Sequence, residues 1–213
     1  RRVRGKVILN TEIKNAVKVA GDKAQYDNRV KRILSEKHIL AHILAKTVDE
    51  FKGMNPNDIV TYIEGEPKIG IVPLEPGLTN IEKTDESGQR VKGLNSENVE
   101  ANEGLIRFDI IFYVRLKNGL SQIIVNVEAQ KDEPVSYKIL NRAIFYVSRL
   151  ISSQKERDFV NTNYDDIKQV FSIWVCMNMS NNSLSHFHLK KDEMLEPYDW
   201  KGNTDLLNIV MIG

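Results

Sequence analysis

Cysteine is nearly absent from this chain. Cys176 is the only one among 213 residues, so no intrachain disulfide can form and a reducing, cytoplasmic compartment is expected. It sits in the apolar run Val170–Met177, where a buried, inert thiol is expected rather than a nucleophile. Long apolar runs are missing as well. No stretch approaches the roughly 20 residues that span a bilayer, and the basic N-terminus leads into no signal-peptide core, so no membrane partner is expected. A charge excess is lacking too: 30 basic residues face 29 acidic ones, and a net charge of +1 gives no argument for nucleic acid by itself. Repeats and low-complexity segments are likewise absent. What remains, with 41% hydrophobic and 28% charged residues, suits a globular protein with one good core or two small ones. The start at Arg1 and the apolar end Leu206–Ile212 read as edges of a longer polypeptide.

The charges are unevenly spread. Basic side chains dominate the first 60 residues and acidic ones dominate residues 61–135. Such a pattern suits a metal site beside a phosphate-attracting surface, and it equally suits a solvated helix beside an acidic loop. Residues 1–23 are polar, basic and aperiodic and read as an N-terminal arm, with 24–213 as a single domain. From Ala24 to Phe51 apolar residues recur at helical spacing, and Ser35 is placed to split the run into two helices. Asn55-Pro56 predicts a short helix through Ile63, and Lys68–Val72 a short strand. Residues 73–104 read as a long polar loop or a pair of irregular edge strands. Ser136 is a candidate N-cap for a helix to about Gln154, with Leu140, Ala143, Ile144, Val147, Leu150 and Ile151 as its buried stripe. Ile167–Met177 and Leu206–Ile212 are further strands. The order predicts an α/β fold, a mixed sheet with helices packed on it.

The most informative segment lies between. Leu105–Tyr113 and Ser121–Gln130 read as strands, and Asn118-Gly119 between them is a strong hairpin signal. With those two as the loop, Lys117 pairs with Leu120, and Asp109 falls directly opposite Glu128. Opposed Cβ atoms on one face are about 4.5–5.5 Å apart, and like charges there repel. A divalent cation bridging the carboxylates explains the pair; so would a solvent-facing acidic pair. Ile110, Phe112 and Val114 opposite Val127, Val125 and Ile123 make one wholly apolar face. The other face is expected to present polar groups.

These features resemble the PD-(D/E)XK nuclease fold, a restriction-endonuclease-like mixed sheet flanked by helices whose central hairpin carries a metal site. Asp109 stands at the position of the first acid, and Glu128-Ala129-Gln130 at that of the Glu-x-Lys run. The phrases IIVNVEAQKD, RAIFYVSRLISSQ and YDDIKQVFSIWVCMN are similar to the bacterial branch of PD-(D/E)XK family transposases, or recombination-promoting nucleases, and IEGEP is so more weakly. The resemblance covers roughly Val30 to Gly213. It implies a metal-dependent DNA endonuclease, with DNA as partner and a homodimer left open.

The resemblance further implies Mg²⁺, with Mn²⁺ as a substitute, held by Asp109, Glu128 and the Ala129 carbonyl. Mg²⁺ commonly takes only one or two protein carboxylates. Gln130 stands where the fold has a lysine; an amide can hydrogen-bond the attacking water but brings no positive charge. The similar transposase-like proteins also carry Gln there, so the change does not by itself mean inactivity. Lys131 is adjacent, and Lys138 or Arg142 on the next helix are alternative sources of charge. Arg142 and Tyr146, one helical turn apart, are placed to hold a phosphate or orient Glu128, or Tyr146 simply borders the apolar stripe. Glu36, Glu64 and Glu66 are candidate accessory carboxylates or plain surface acids. His38 with His42, and His186 with His188, have near spacing but no third zinc ligand, so packing or surface roles are expected. Two other functions remain open: a weakly active or inactive nuclease-fold module that binds nucleic acid or a protein, and a structural Ca²⁺ site.

Overall fold

The computed structural model describes residues 28–69, 83–84, 90–91, 109–118, 122–155 and 157–213. The expected arm at 1–23 lies outside them. So do most of the 73–104 segment, the start of the first hairpin strand and Gly119 of the turn.

Residues 28–34 form a first helix, α1, and the run is split at Ser35 as expected. The N-cap of the next helix is Glu36, however, while the Ser35 hydroxyl donates back to the Arg32 carbonyl at 2.8 Å. Then come α2 (Lys37–Thr47) and α3 (Pro56–Ile59). Asn55 caps α3 by accepting from the Asn57 N–H at 3.0 Å, and Pro56 occupies the first turn, where its missing N–H costs nothing. The strands are β1 (Ile63–Ile69), the short antiparallel pair β2 (Lys83–Thr84) and β3 (Arg90–Val91), and the central hairpin β4 (Ile110–Arg115) and β5 (Gln122–Gln130). Helix α4 (Ile139–Ser152) follows, then β6 (Gln169–Cys176), β7 (Leu184–His188) and β8 (Leu207–Ile212).

Six strands form one mixed sheet in the order β1-β4-β5-β6-β8-β7. β5, β6 and β8 are parallel neighbours, while β1, β4 and β7 attach antiparallel. The β4–β5 register is the one that a two-residue Asn118-Gly119 loop dictates, with Ile110 opposite Val127 and Arg115 opposite Gln122. β1 is an edge strand carrying a bulge between Glu64 and Lys68, built on Gly65 at φ +59° and followed by Pro67. Glycine reaches that left-handed conformation without a Cβ clash, and an edge strand tolerates proline.

Helices cover both faces, and this corrects one expectation. The face of Ile110, Phe112, Val114, Ile123, Val125 and Val127 packs under Leu40, Ala41, Leu44, Phe51 and Ile59. The opposite face, expected to be polar, is a second core. Ile111, Tyr113, Ile124, Val170 and Trp174 pack there against Ile139, Ala143, Tyr146, Val147 and Leu150 of α4. Double coverage explains why β5 and β6 are apolar almost without interruption. The α4 stripe is also rotated from the expected one. Ile139 and Tyr146 are buried while Ile144 is exposed, and Lys138 rather than Ser136 precedes the first turn. Among the described residues, no helix is long and apolar enough to cross a membrane.

Candidate metal centre

The hairpin register brings Asp109 and Glu128 together at one end of the α4-covered face. Asp109 immediately precedes β4 rather than lying within it. The two residues are tied reciprocally. The Asp109 N–H donates to Glu128 Oε1 at 3.1 Å, and the Ala129 N–H donates to Asp109 Oδ2 at 3.0 Å. Glu128 is buried, at 2% exposure, so a solvent-facing acidic pair is not what the fold builds. Burial above all, and then the negative charge of Asp109, push the Glu128 carboxyl up to about 8; the Asp109 N–H, Arg142 and Asn126 oppose the shift.

Two cations approach the pair from different elements. Lys31 on α1 places Nζ 2.5 Å from Asp109 Oδ1. Arg142 on α4 stands 4.0 Å from Glu128 Oε2 and is fixed by two phenols, donating from Nη1 to Tyr137 Oη at 2.9 Å and from Nη2 to Tyr146 Oη at 2.8 Å. Its guanidinium lies 4.8 Å from the Tyr146 ring centre and 5.2 Å from that of Trp174, within cation–π range. Trp174 is the β6 neighbour of Glu128 and meets Tyr146 edge to face at 5.5 Å. Arg142 and Tyr146 thus act as one unit over Glu128. Burial raises the Tyr146 phenol, with Arg142 pulling it back.

The other residues that the sequence singled out fall in different places. Ala129 and Gln130 end β5 beside the pair, and the Gln130 amide donates from Nε2 to the Asp132 carbonyl at 2.6 Å. Lys131 lines a cavity of about 350 Å³ together with Ala129, Gln130, Asp132 and Tyr137. Lys138 is exposed at the start of α4. The accessory acids are not gathered in. Glu64 pairs through β1 with Tyr113, four positions or about 13 Å along β4 from Asp109. It accepts from Arg115 at 3.1 Å and from Gln122 at 2.6 Å. Glu66 is 89% exposed on its bulge and pairs with Lys37 at 3.2 Å, while Glu36 is exposed at the N-cap of α2. Among the described residues no group of three His, Cys, Asp or Glu side chains is placed to share a metal, around either histidine pair or around Asp109 and Glu128.

Sequence reasoning missed Lys31, Tyr137 and Asn126. Lys31 comes from an element 78 positions upstream of Asp109, so no local spacing could place it; the basic bias of the first 60 residues was its only trace. Asn126 shares the Glu128 face two residues earlier and donates to Ser172 Oγ at 3.4 Å, which also accepts from the Trp174 indole at 3.0 Å. A polar residue in the middle of IIVNVEAQ was the available signal.

The arrangement is two opposed carboxylates, one deeply buried, flanked by a lysine and a phenol-clamped arginine, with an amide at the strand end. Its donor set fits a hard divalent cation, because two carboxylates are what Mg²⁺ ordinarily takes from a protein. No protein-family model, no curated protein and no solved structure matches this chain.

Proposed function

We propose that this chain is a Mg²⁺-dependent DNA endonuclease of the PD-(D/E)XK kind, of the transposase- or recombination-associated branch, acting in a reducing cytoplasm. One observation carries the reading. Glu128 is buried against a second carboxylate, with one backbone N–H, the Asn126 side chain and an arginine 4.0 Å away as compensation. Such a carboxyl costs folding energy unless something positive joins it.

Asp109 and Glu128 would hold Mg²⁺, with the Ala129 carbonyl as a further oxygen. When bound, the ion supplies Lewis-acid stabilisation of the charge developing on the attacked phosphodiester. The chain does the rest. The reciprocal N–H bonds fix both carboxylates before substrate arrives. Arg142, locked by Tyr137 and Tyr146, supplies oriented positive charge beside Glu128. Gln130 supplies an amide to align water, and Lys138, exposed at the start of α4, pairs with backbone phosphate. The test is nicking of supercoiled plasmid with Mg²⁺ or Mn²⁺. Cleavage is expected from the wild type and not from Asp109→Ala or Glu128→Ala, and cleavage surviving either change would refute the assignment.

A second reading has its own observation. The Lys31 ammonium on Asp109 and the guanidinium near Glu128 already offset part of the pair's charge. A nuclease-like module that binds nucleic acid or a protein without turnover needs no more than that. It predicts salt-dependent DNA binding, no cleavage and no metal-induced rise in Tm.

A further inference from the structure

Tyr137 separates two hollows. On one side lies the cavity that holds Ala129, Gln130 and Lys131. On the other an open groove of about 830 Å³ runs over the outer face of α4, lined by Val135, Ser136, Tyr137, Lys138, Asn141, Arg142 and Phe145. Its apolar wall is open to solvent: Tyr137 is 42% exposed, Phe145 48% and Val135 103%. Packing does not explain these side chains, since α4 buries its other face against the sheet. Among the described residues, two cations and no carboxylate line the groove. Arg142 belongs both to the groove and to the carboxylate pair, and its bond to Tyr137 Oη holds that ring in place.

Exposed rings with cations beside them match one ligand chemistry well. A nucleobase offers a flat apolar face to an aromatic ring, and its phosphate pairs with Lys or Arg. A base inside a duplex has both faces stacked on its neighbours and cannot use such a ring; an unpaired base can. We propose that this groove binds unpaired nucleotides of a DNA strand, with bases against Tyr137 and Phe145 and phosphates at Lys138 and Arg142. The proposal rests on the nuclease reading and deepens it. It makes single-stranded or frayed DNA, led past Tyr137 toward Ala129-Gln130, the substrate class of the site.

The test is binding rather than cleavage, so it stands apart from the nuclease assay. Fluorescence anisotropy of a labelled 12-nucleotide oligo-dT is measured in EDTA at fixed salt with the whole chain. The wild type is expected to bind it at least tenfold more tightly than a duplex of equal length. Phe145→Ala and Tyr137→Leu are each expected to weaken oligo-dT binding about fivefold or more, the usual scale for one lost stacking partner. An oligomer with abasic sites should lose at least as much on the wild type, a comparison that needs no variant to fold. Tight single-strand binding with no Mg²⁺-dependent cleavage of either the plasmid or the single strand would leave the binding groove standing and sink the nuclease reading. Equal affinity for duplex and single strand, equal affinity for the abasic oligomer, or no binding would overturn the proposal. So would unchanged affinity in both ring variants, which would also leave the exposed rings to a protein partner.

Discussion

Two buried carboxylates lie on the α4-covered face of the sheet, Glu128 on β5 and Asp158 beyond α4 against Tyr113 of β4, and they are treated in opposite ways. The Asp158 side chain is fully buried and has direct partners throughout. Arg157 Nε donates to it at 2.6 Å, Lys168 Nζ at 3.1 Å and the Tyr113 hydroxyl at 3.2 Å. Gln154 secures the same corner by bonding the Lys168 backbone in both directions, at 2.7 and 2.9 Å. Glu128 is buried almost as deeply, yet it faces Asp109, and its arginine stands off at 4.0 Å. Where this fold uses a buried acid for structure, it brings cations into contact. At Glu128 it does not, and the under-compensation is what the proposed metal would relieve.

The comparison is broken most directly at the compensated end. Asp158→Asn keeps the shape and removes the charge, leaving Arg157 and Lys168 without their anion. Arg157 Nη1 and Nη2 already have no hydrogen-bond partner, so its guanidinium has little else to rely on. Breaking a buried pair in this way costs about 3–5 kcal/mol. The expected result is a fall in the urea midpoint on the order of 1–2 M. A loss below about 1 kcal/mol would mean that Asp158 is no more structural than Glu128, and the contrast would collapse.

At the under-compensated end the sign reverses. Burial and Asp109 raise the folded-state Glu128 carboxyl from an ordinary 4.5 to about 8. Between those values the folded chain holds a proton that the unfolded chain has released, so stability falls as pH rises through the interval and levels off above it. Glu128→Gln cannot ionise and loses that slope. In EDTA it should match the wild type near pH 5 and exceed it by a few kcal/mol at pH 8.5. Mg²⁺ should then raise the Tm of the wild type and leave that of Glu128→Gln where it was. Parallel Tm curves from pH 5 to 8.5 would show that Glu128 is as well compensated as Asp158.

The difference between the two ends also marks what sequence could and could not show. The hairpin register was legible because strand alternation and an Asn-Gly turn leave one arithmetic solution, and that solution put Asp109 against Glu128. The helix split at Ser35, the cap at Asn55 and the strands at Gln169–Cys176 and Leu207–Ile212 were legible for similarly local reasons. The second core was not. Ile111, Tyr113 and Ile124 alternate with Asn126 and Asp109, so that face read as polar until α4 covered it. The α4 stripe slipped for the same cause: Tyr146 turns inward to meet Trp174 and Arg142, and Ile144 is left outside. The compensation itself was illegible at both ends. Lys31 on Asp109 and Tyr113 on Asp158 join residues 78 and 45 positions apart, and only the packed sheet brings them together.

Lys31 gives the smallest and sharpest test, because it makes Asp109 resemble Asp158 while Glu128 stays uncovered. Its ammonium lies 2.5 Å from Asp109 Oδ1 with both side chains partly exposed, so solvent screens the pair and its worth is about 1 kcal/mol. Lys31→Met should therefore lower the metal-free Tm by only about 2–4 °C. The same change removes a cation that occupies an oxygen the metal needs, so the Mg²⁺-induced rise in Tm should grow in the variant. If the rise shrinks instead, Lys31 holds Asp109 in place for the metal rather than competing with it. If Mg²⁺ moves neither protein, Asp109 and Glu128 hold no metal, and the module reading gains over the nuclease one.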